Sequence, residues 1–411
     1  MIIDSDSSSL FSFGCQKLTI AHECVHFYLH KKAFFFAKMV NKELSHIQCQ
    51  REGGLVGKNE GTNNHWMEVQ ANGIAPYILM PRQMVVKKYN ELENMYLSWG
   101  QTPLEYAESL VKAIADFFDV TNYAARKRLL DLGFTLAGGT LNYVDGQYVK
   151  PYLYKKGALA KDETYTVSYK DIYDKIFSST MGAYIYQGNF VFVENHLCIE
   201  SPKYVQKTEE GDHELTTYAR EHLDECCVKF KCTSRSSVIR DSLATACYLC
   251  RQFDEDLYYD LEIADSNGSL YNSPDLPFAF KESRERILQI KKDIMGKSFT
   301  EILNYFVDNL HKDNKELAYD SGLDERSIRR YLSGESKRPD KRSVIAICMA
   351  LKLPPEITDI VLKQAHISLV EGDTEDDALM GVIMTHRGKS IKKINAYLER
   401  LGVEPLNNAS F

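Results

Sequence analysis

The chain has 411 residues, a formal net charge of −7 at pH 7, 44% hydrophobic residues and 26% charged residues. That length suits roughly two to four domains, and the balance of apolar and charged residues excludes a collagen, a coiled coil and a wholly disordered chain. Net acidity argues against coating nucleic acid along the whole length but leaves room for a local basic patch.

Residues 1–14 (MIIDSDSSSLFSFG) carry acids where a secretory signal needs Lys or Arg. No stretch reaches the roughly 18 apolar residues of a membrane helix. A cytoplasmic protein with no membrane partner is therefore expected. There the ten cysteines serve as thiols, ligands or core filler, not as a disulfide framework.

Apolar spacing predicts a helix over 16–30, a polar loop over 51–64 and a helix over 65–80 that stops at Pro81, which cannot continue it. Helices follow over 103–118 and 122–132, the second closed by Gly133. The period then changes. Residues 140–154 alternate around Asp145-Gly146, a hairpin signal, and 184–194 alternate around Gly188. An acidic stretch, 254–277, reads as a linker, and from 282 the pattern is helical almost to the end. Three parts are expected: 1–135, a mixed strand and helix region over 136–280, and a helical part over 281–411.

The first helix contains His22-Glu23-Cys24-Val25-His26, an HExxH. Residues four apart on a helix share one face, about 6 Å apart along the axis. Two imidazoles so placed can grip one Zn²⁺, and Glu23 sits beside them as a base for water. A third ligand is needed. His30 extends the row, but three ligands on one straight helix spread over about 12 Å, too far for one ion. Leu29 stands where a helix-breaking glycine would be required to bend the chain back. Glu68, on the second helix, is the better candidate and completes a His₂Glu site with an open fourth position. His65 and Tyr77 lie near Glu68, and for them a surface or core role is expected.

TIAHECVHFYLH followed by WMEVQANGIAPYILMP resembles the ImmA/IrrE metallopeptidases, at His22, Glu23, His26, Glu68, Ala71, Asn72, Leu79, Met80 and Pro81. The segments 115–120 and 125–129 are similar to that family's next helices, so the resemblance covers about 15–135. It implies an α+β, zincin-like fold and a zinc cofactor. It implies His22, His26 and Glu68 as ligands and Glu23 as catalytic base. It also implies a protein substrate, a repressor-type transcription factor. Only 21 residues precede His22, where zincin folds place further helices and strands, so an N-terminally shortened core is expected.

Cys226, Cys227 and Cys232, then Cys247 and Cys250, form a CC-x₄-C and C-x₂-C arrangement with His222 nearby. Such pairs can hold structural zinc, and they are equally common as small core residues on helices.

Near the C-terminus a helix ending at Gly322 is followed by Asp324, a capping residue, and by a second helix over 325–332. Two helices joined by a tight Gly turn make a helix-turn-helix. Glu325, Arg326, Ser327, Arg329 and Arg330 are placed to face base edges. Lys337, Arg338, Lys341 and Arg342 are placed to meet phosphates. Seven basic and four acidic residues fall between 324 and 342, a local excess of positive charge in an acidic chain. The segment resembles the Cro/cI-type (XRE) helix-turn-helix over about 299–368, which implies double-stranded DNA as a partner. The expectation is a zinc endopeptidase joined to a DNA-binding domain. The alternative is a DNA-binding regulator whose peptidase-like domain is inactive.

Overall fold

The computed structural model describes residues 13–40, 63–160, 163–169, 172, 180–234, 259–263, 278–336 and 338–407. The chain is α+β, mostly helical with small antiparallel sheets. It divides into two compact units, 1–162 with 232–260, and 163–231 with 261–411. Among the described residues no helix is long and apolar enough to cross a membrane.

In the first unit, α1 (Phe13–Leu29) packs on α3 (Asn63–Leu79), with α2 (Lys31–Val40) between them in the chain. Then come α4 (Arg82–Ser98), α5 (Pro103–Phe118) and α6 (Asn122–Asp131). As expected, α3 ends ahead of Pro81. A capping box starts α5: the Thr102 amide donates to Glu105 Oε2 at 2.7 Å, and Pro103 occupies the first turn, where its missing N–H costs nothing. Gly133, at φ +88°, closes α6, with Phe134 N–H returning to the Leu129 carbonyl. The inner faces of α4–α6 bury Val85, Tyr106, Leu110, Ile114, Ala125 and Leu129.

Two arginines of α6 lock this unit. Arg126, fully buried, donates from Nε to the Ala137 carbonyl (3.0 Å) and from Nη2 to the Gly138 carbonyl (2.7 Å) and Asn142 Oδ1 (2.8 Å). Arg128 donates from Nε to the Met80 carbonyl (3.0 Å), and its guanidinium lies 3.9 Å from the centre of the Tyr77 ring. The C-terminal end of α3 is thereby tied to α6. The expected hairpin is present: β1 (Tyr143–Val144) pairs with β2 (Gln147–Tyr148), and Asp145 and Gly146 both have positive φ, as a type I′ turn requires.

In the second unit, β3 (Glu163–Thr164) pairs with β8 (Phe230–Ser234). Between them lie α7 (Thr180–Tyr186), the hairpin β4 (Phe190–Val193) and β5 (His196–Ile199), and the hairpin β6 (Val205–Lys207) and β7 (His213–Leu215). Two short helices follow, α8 (Thr217–Glu221) and α9 (Leu223–Cys226). The alternation over 184–194 does not make one hairpin around Gly188. Its first part is the end of α7, and the turn is Glu194-Asn195, both at positive φ. All residues of β4 and β5 are buried, so these strands cannot carry an apolar and polar alternation.

The helices α10 (Phe278–Ile294), α11 (Phe299–Asn309), α12 (Asn314–Ser321), α13 (Glu325–Ser333), α14 (Lys341–Ala350), α15 (Pro355–Gln364), α16 (Thr374–Thr385) and α17 (Ile391–Arg400) complete the unit. Their core gathers Ile302, Leu303, Leu317, Ile328, Ile345, Ile357, Leu379 and Ile394. Ionic contacts join these helices to the hairpins: Arg387 pairs with Glu200, and Lys393 reaches Asp212 at 2.5 Å.

Three histidines of this unit are kept neutral by burial, which pushes His196 down to about 4 and His213 and His386 down to about 3. The unfolded chain binds these protons near the ordinary 6.5, so the stability they confer is present above that pH and is lost as pH falls toward 4. Each contributes up to about 1.4 kcal/mol per pH unit in that window. The second unit is expected to melt several degrees lower at about pH 4.5 than at about pH 7.5. His386 stacks on Tyr169 (4.6 Å between centroids) and lies 4.1 Å from the Tyr397 ring. His386→Phe keeps those contacts and should flatten the acid slope in thermal denaturation; an unchanged slope would remove His386 from this account.

Candidate metal centre

Residues 22 and 26 of α1, and 30 just past its end, recur every four positions and form one row toward α3. All three imidazoles are buried, with Val25 beside them and Met67, Ala71 and Ala75 among the buried positions of α3. A buried imidazole needs partners for its nitrogens, and here the rings supply one another. His22 Nε2 lies 3.0 Å from His26 Nε2, His26 Nδ1 lies 3.0 Å from His30 Nδ1, and His30 Nε2 lies 2.9 Å from Gln70 Oε1.

This chain of rings has a direction. The Gln70 amide oxygen can only accept, so a neutral His30 carries its proton on Nε2 and donates there. His30 Nδ1 is then an acceptor and receives the proton of His26 Nδ1. His26 Nε2 is then the unprotonated nitrogen of its ring, with its lone pair facing His22 Nε2. A metal-ligating histidine is commonly held in this way, its second nitrogen donating to an acceptor behind it. Two nitrogens binding one tetrahedral Zn²⁺ at about 2.0–2.1 Å stand about 3.3 Å apart, close to the 3.0 Å seen between His22 and His26. These two residues therefore fit a metal ion. His22 joins it through Nε2 once its proton moves to Nδ1.

Glu23, partly exposed, follows His22 on the same helix. Glu68 lies on α3, the helix that faces the row, and its side chain falls outside the described residues. Asn72 is exposed on the same helix. Tyr77 is the cation–π partner of Arg128, a structural role. Sequence reasoning gave His30 no function and passed over Gln70. The signal for His30 was its i+4 spacing from His26; for Gln70 there was none, since its value depends on how α3 packs. The same two helices also border an apolar cleft of about 740 Å³, lined by Cys24, Val25, Phe27, Tyr28, Ile74 and Ile78 among others.

Among the C-terminal helices, α12 ends on Gly322 at φ +67°, and Asp324 caps α13 by accepting from the Ser327 amide at 2.9 Å. The candidate DNA-facing residues separate into two groups. Ser327 also donates its hydroxyl to Asp324 (2.6 Å), and Arg329 pairs with Glu325 one turn back. Arg326, Arg330 and Arg338 are exposed, and Lys337 lies outside the described residues. Lys341 and Arg342 are engaged elsewhere, Lys341 with Asp376 (2.5 Å) and Arg342 with Glu404 (2.8 Å) and Glu375 (3.2 Å).

The cysteine cluster also assembles differently from the expected set. Cys226 and Cys227 meet Cys198, all three sulfurs within 4.8 Å of one another. His222 is not among them; its ring stacks on Tyr218, 4.3 Å between centroids. The side chain of Cys232, and Cys247 and Cys250 altogether, fall outside the described residues.

Set against protein-family models, curated proteins and solved structures, the chain matches none.

If His30 holds the tautomer of His26, His30→Leu should weaken Zn²⁺ binding by about 10- to 100-fold with His22 and His26 intact. Competition against a chromophoric chelator measures this. Equal affinities in variant and parent, at unchanged helix content, would show that the relay has no bearing on the metal.

Proposed function

We propose that the chain is a zinc-dependent endopeptidase of the ImmA/IrrE type, carrying a helix-turn-helix that binds double-stranded DNA. Its substrate is a protein, a repressor-type transcription factor, and its setting is the cytoplasm. The observation that carries the reading is the buried pair of Nε2 atoms on His22 and His26, 3.0 Å apart, with His26 oriented from behind by His30 and Gln70. Zinc, when bound, supplies the Lewis acidity that polarises a scissile carbonyl.

In this reading His22, His26 and Glu68 hold the ion. Glu23 takes the proton of the attacking water and delivers it to the leaving amine. Its partial exposure suits a group that must meet both solvent and substrate. The apolar cleft between α1 and α3 offers a place for a hydrophobic substrate side chain. Arg326 and Arg330, exposed on α13, are the side chains able to reach base edges or phosphates directly, whereas Arg329 must first leave Glu325. A helix-turn-helix on the same chain would raise the local concentration of peptidase at a promoter.

A second reading, a DNA-binding regulator without peptidase activity, is supported by the two capped helices α12 and α13 joined at Gly322. Two measurements separate them. Glu23→Gln should abolish cleavage of a candidate repressor, by about 1,000-fold or more in rate, while zinc content stays at the parent level; cleavage that survives the substitution would end the peptidase reading. Arg326→Ala with Arg330→Ala should weaken DNA binding by the full-length chain and lower its salt slope by about one for each phosphate no longer neutralised. Identical binding curves would take α13 out of the DNA interface.

A further inference from the structure

A second metal chemistry is built into the other unit. Cys198 lies on β5, and Cys227 forms an antiparallel bridge with it, the Val228 amide donating to the Leu197 carbonyl at 2.9 Å. Cys226 is the last residue of α9, so the chain changes from helix to extended backbone between two adjacent cysteines. That change brings the two side chains to the same place: Cys226 Sγ and Cys227 Sγ are 3.7 Å apart, and Cys198 Sγ lies within 4.8 Å of both. All three are buried, at 0%, 2% and 8% exposure for 198, 226 and 227.

We propose that Cys198, Cys226 and Cys227 form a three-thiolate site for a soft monovalent metal ion of the chemistry of Cu(I).

The spacing suits an ion at the centre of a sulfur triangle, where M–S bonds of about 2.3 Å place the sulfurs about 4.0 Å apart. Softness selects the ion. Thiolates favour Cu(I) and zinc over harder cations, and structural zinc is almost always four-coordinate. Among the described residues the group contains three sulfurs and no fourth His, Cys, Asp or Glu. Their burial leaves little access for water to complete a tetrahedron, whereas Cu(I) is satisfied by two or three sulfurs.

Cu⁺ enters as the sulfurs give up their S–H protons to solvent, leaving three thiolates around one ion with no redox step.

The full-length chain, reduced and kept anaerobic, can be titrated with Cu(I) against a chromophoric Cu(I) chelator. One tightly held equivalent is expected. Cys198→Ser, Cys226→Ser and Cys227→Ser should each weaken it on the order of 100-fold or more, since loss of a ligand costs at least as much as loss of a supporting residue. Cys348→Ser, a buried thiol outside the group, should leave it unchanged, as should His22→Ala with His26→Ala, so the outcome is independent of the zinc reading. X-ray absorption at the copper edge on the unaltered protein guards against variants that misfold; a shell of sulfur alone is expected. Copper retained in all three serine variants, nitrogen or oxygen in the first shell, or tighter binding of Zn²⁺ than of Cu(I) by the same three residues would overturn the proposal.

Discussion

Three imidazoles cannot be buried on one helix face unless each nitrogen that leaves water finds a partner, and that requirement organises the first unit. His22, His26 and His30 satisfy much of it among themselves, but a row of this kind needs an end group to give it direction. Gln70 is that group, and it sits on α3. The contact therefore sets the relation between α1 and α3 as well as the protonation pattern of the rings. The position of α3 is in turn secured from outside the pair, because Arg128 holds the Met80 carbonyl at its far end. A guanidinium on α6 thus supports the histidine row through α3, without touching it.

The second unit solves the same problem with charge. Hairpins too short to be stable alone are fastened to the C-terminal helices by polar contacts. Burial would raise Glu200, yet the guanidinium groups of Arg387 and Arg286 hold its carboxyl below the usual range. Asp212 accepts from the Ser390 amide (2.6 Å) and from Lys393. Gly388 is required at one of these junctions: its φ is +83°, and a side chain there would run into the His213 ring. Removing one partner of such a buried pair leaves a charge without compensation, which costs more than the pair itself contributes.

What could be read from the sequence was mainly local. The helical period, Pro81, Gly133 and Gly322 located α1, α3, α6 and α12 to within a few residues, because capping and periodicity act over a single turn. The spacing of His22 and His26 was enough to place two nitrogens side by side. Non-local facts were not legible. Cys198 is 28 residues from Cys226 and joins it only because β5 bridges the segment after α9. The turn at Glu194-Asn195 lacks the glycine that marks most such turns, so nothing local singled it out. Lys341 and Arg342 read as phosphate ligands until Asp376, Glu375 and Glu404, which arrive from later in the chain, engage them.

The two clusters differ in a way that bears on which ion each could take. The α1 row offers borderline nitrogen donors, a donor type that suits Zn²⁺. Among the described residues the trio in the second unit offers three buried sulfurs and no other donor, a set that suits a soft ion. Affinity by itself does not sort metals, because the order for a given site is largely intrinsic to the ions. Ligand softness and coordination number do. If the two proposals hold, sites of opposite softness on one chain take different ions without competing.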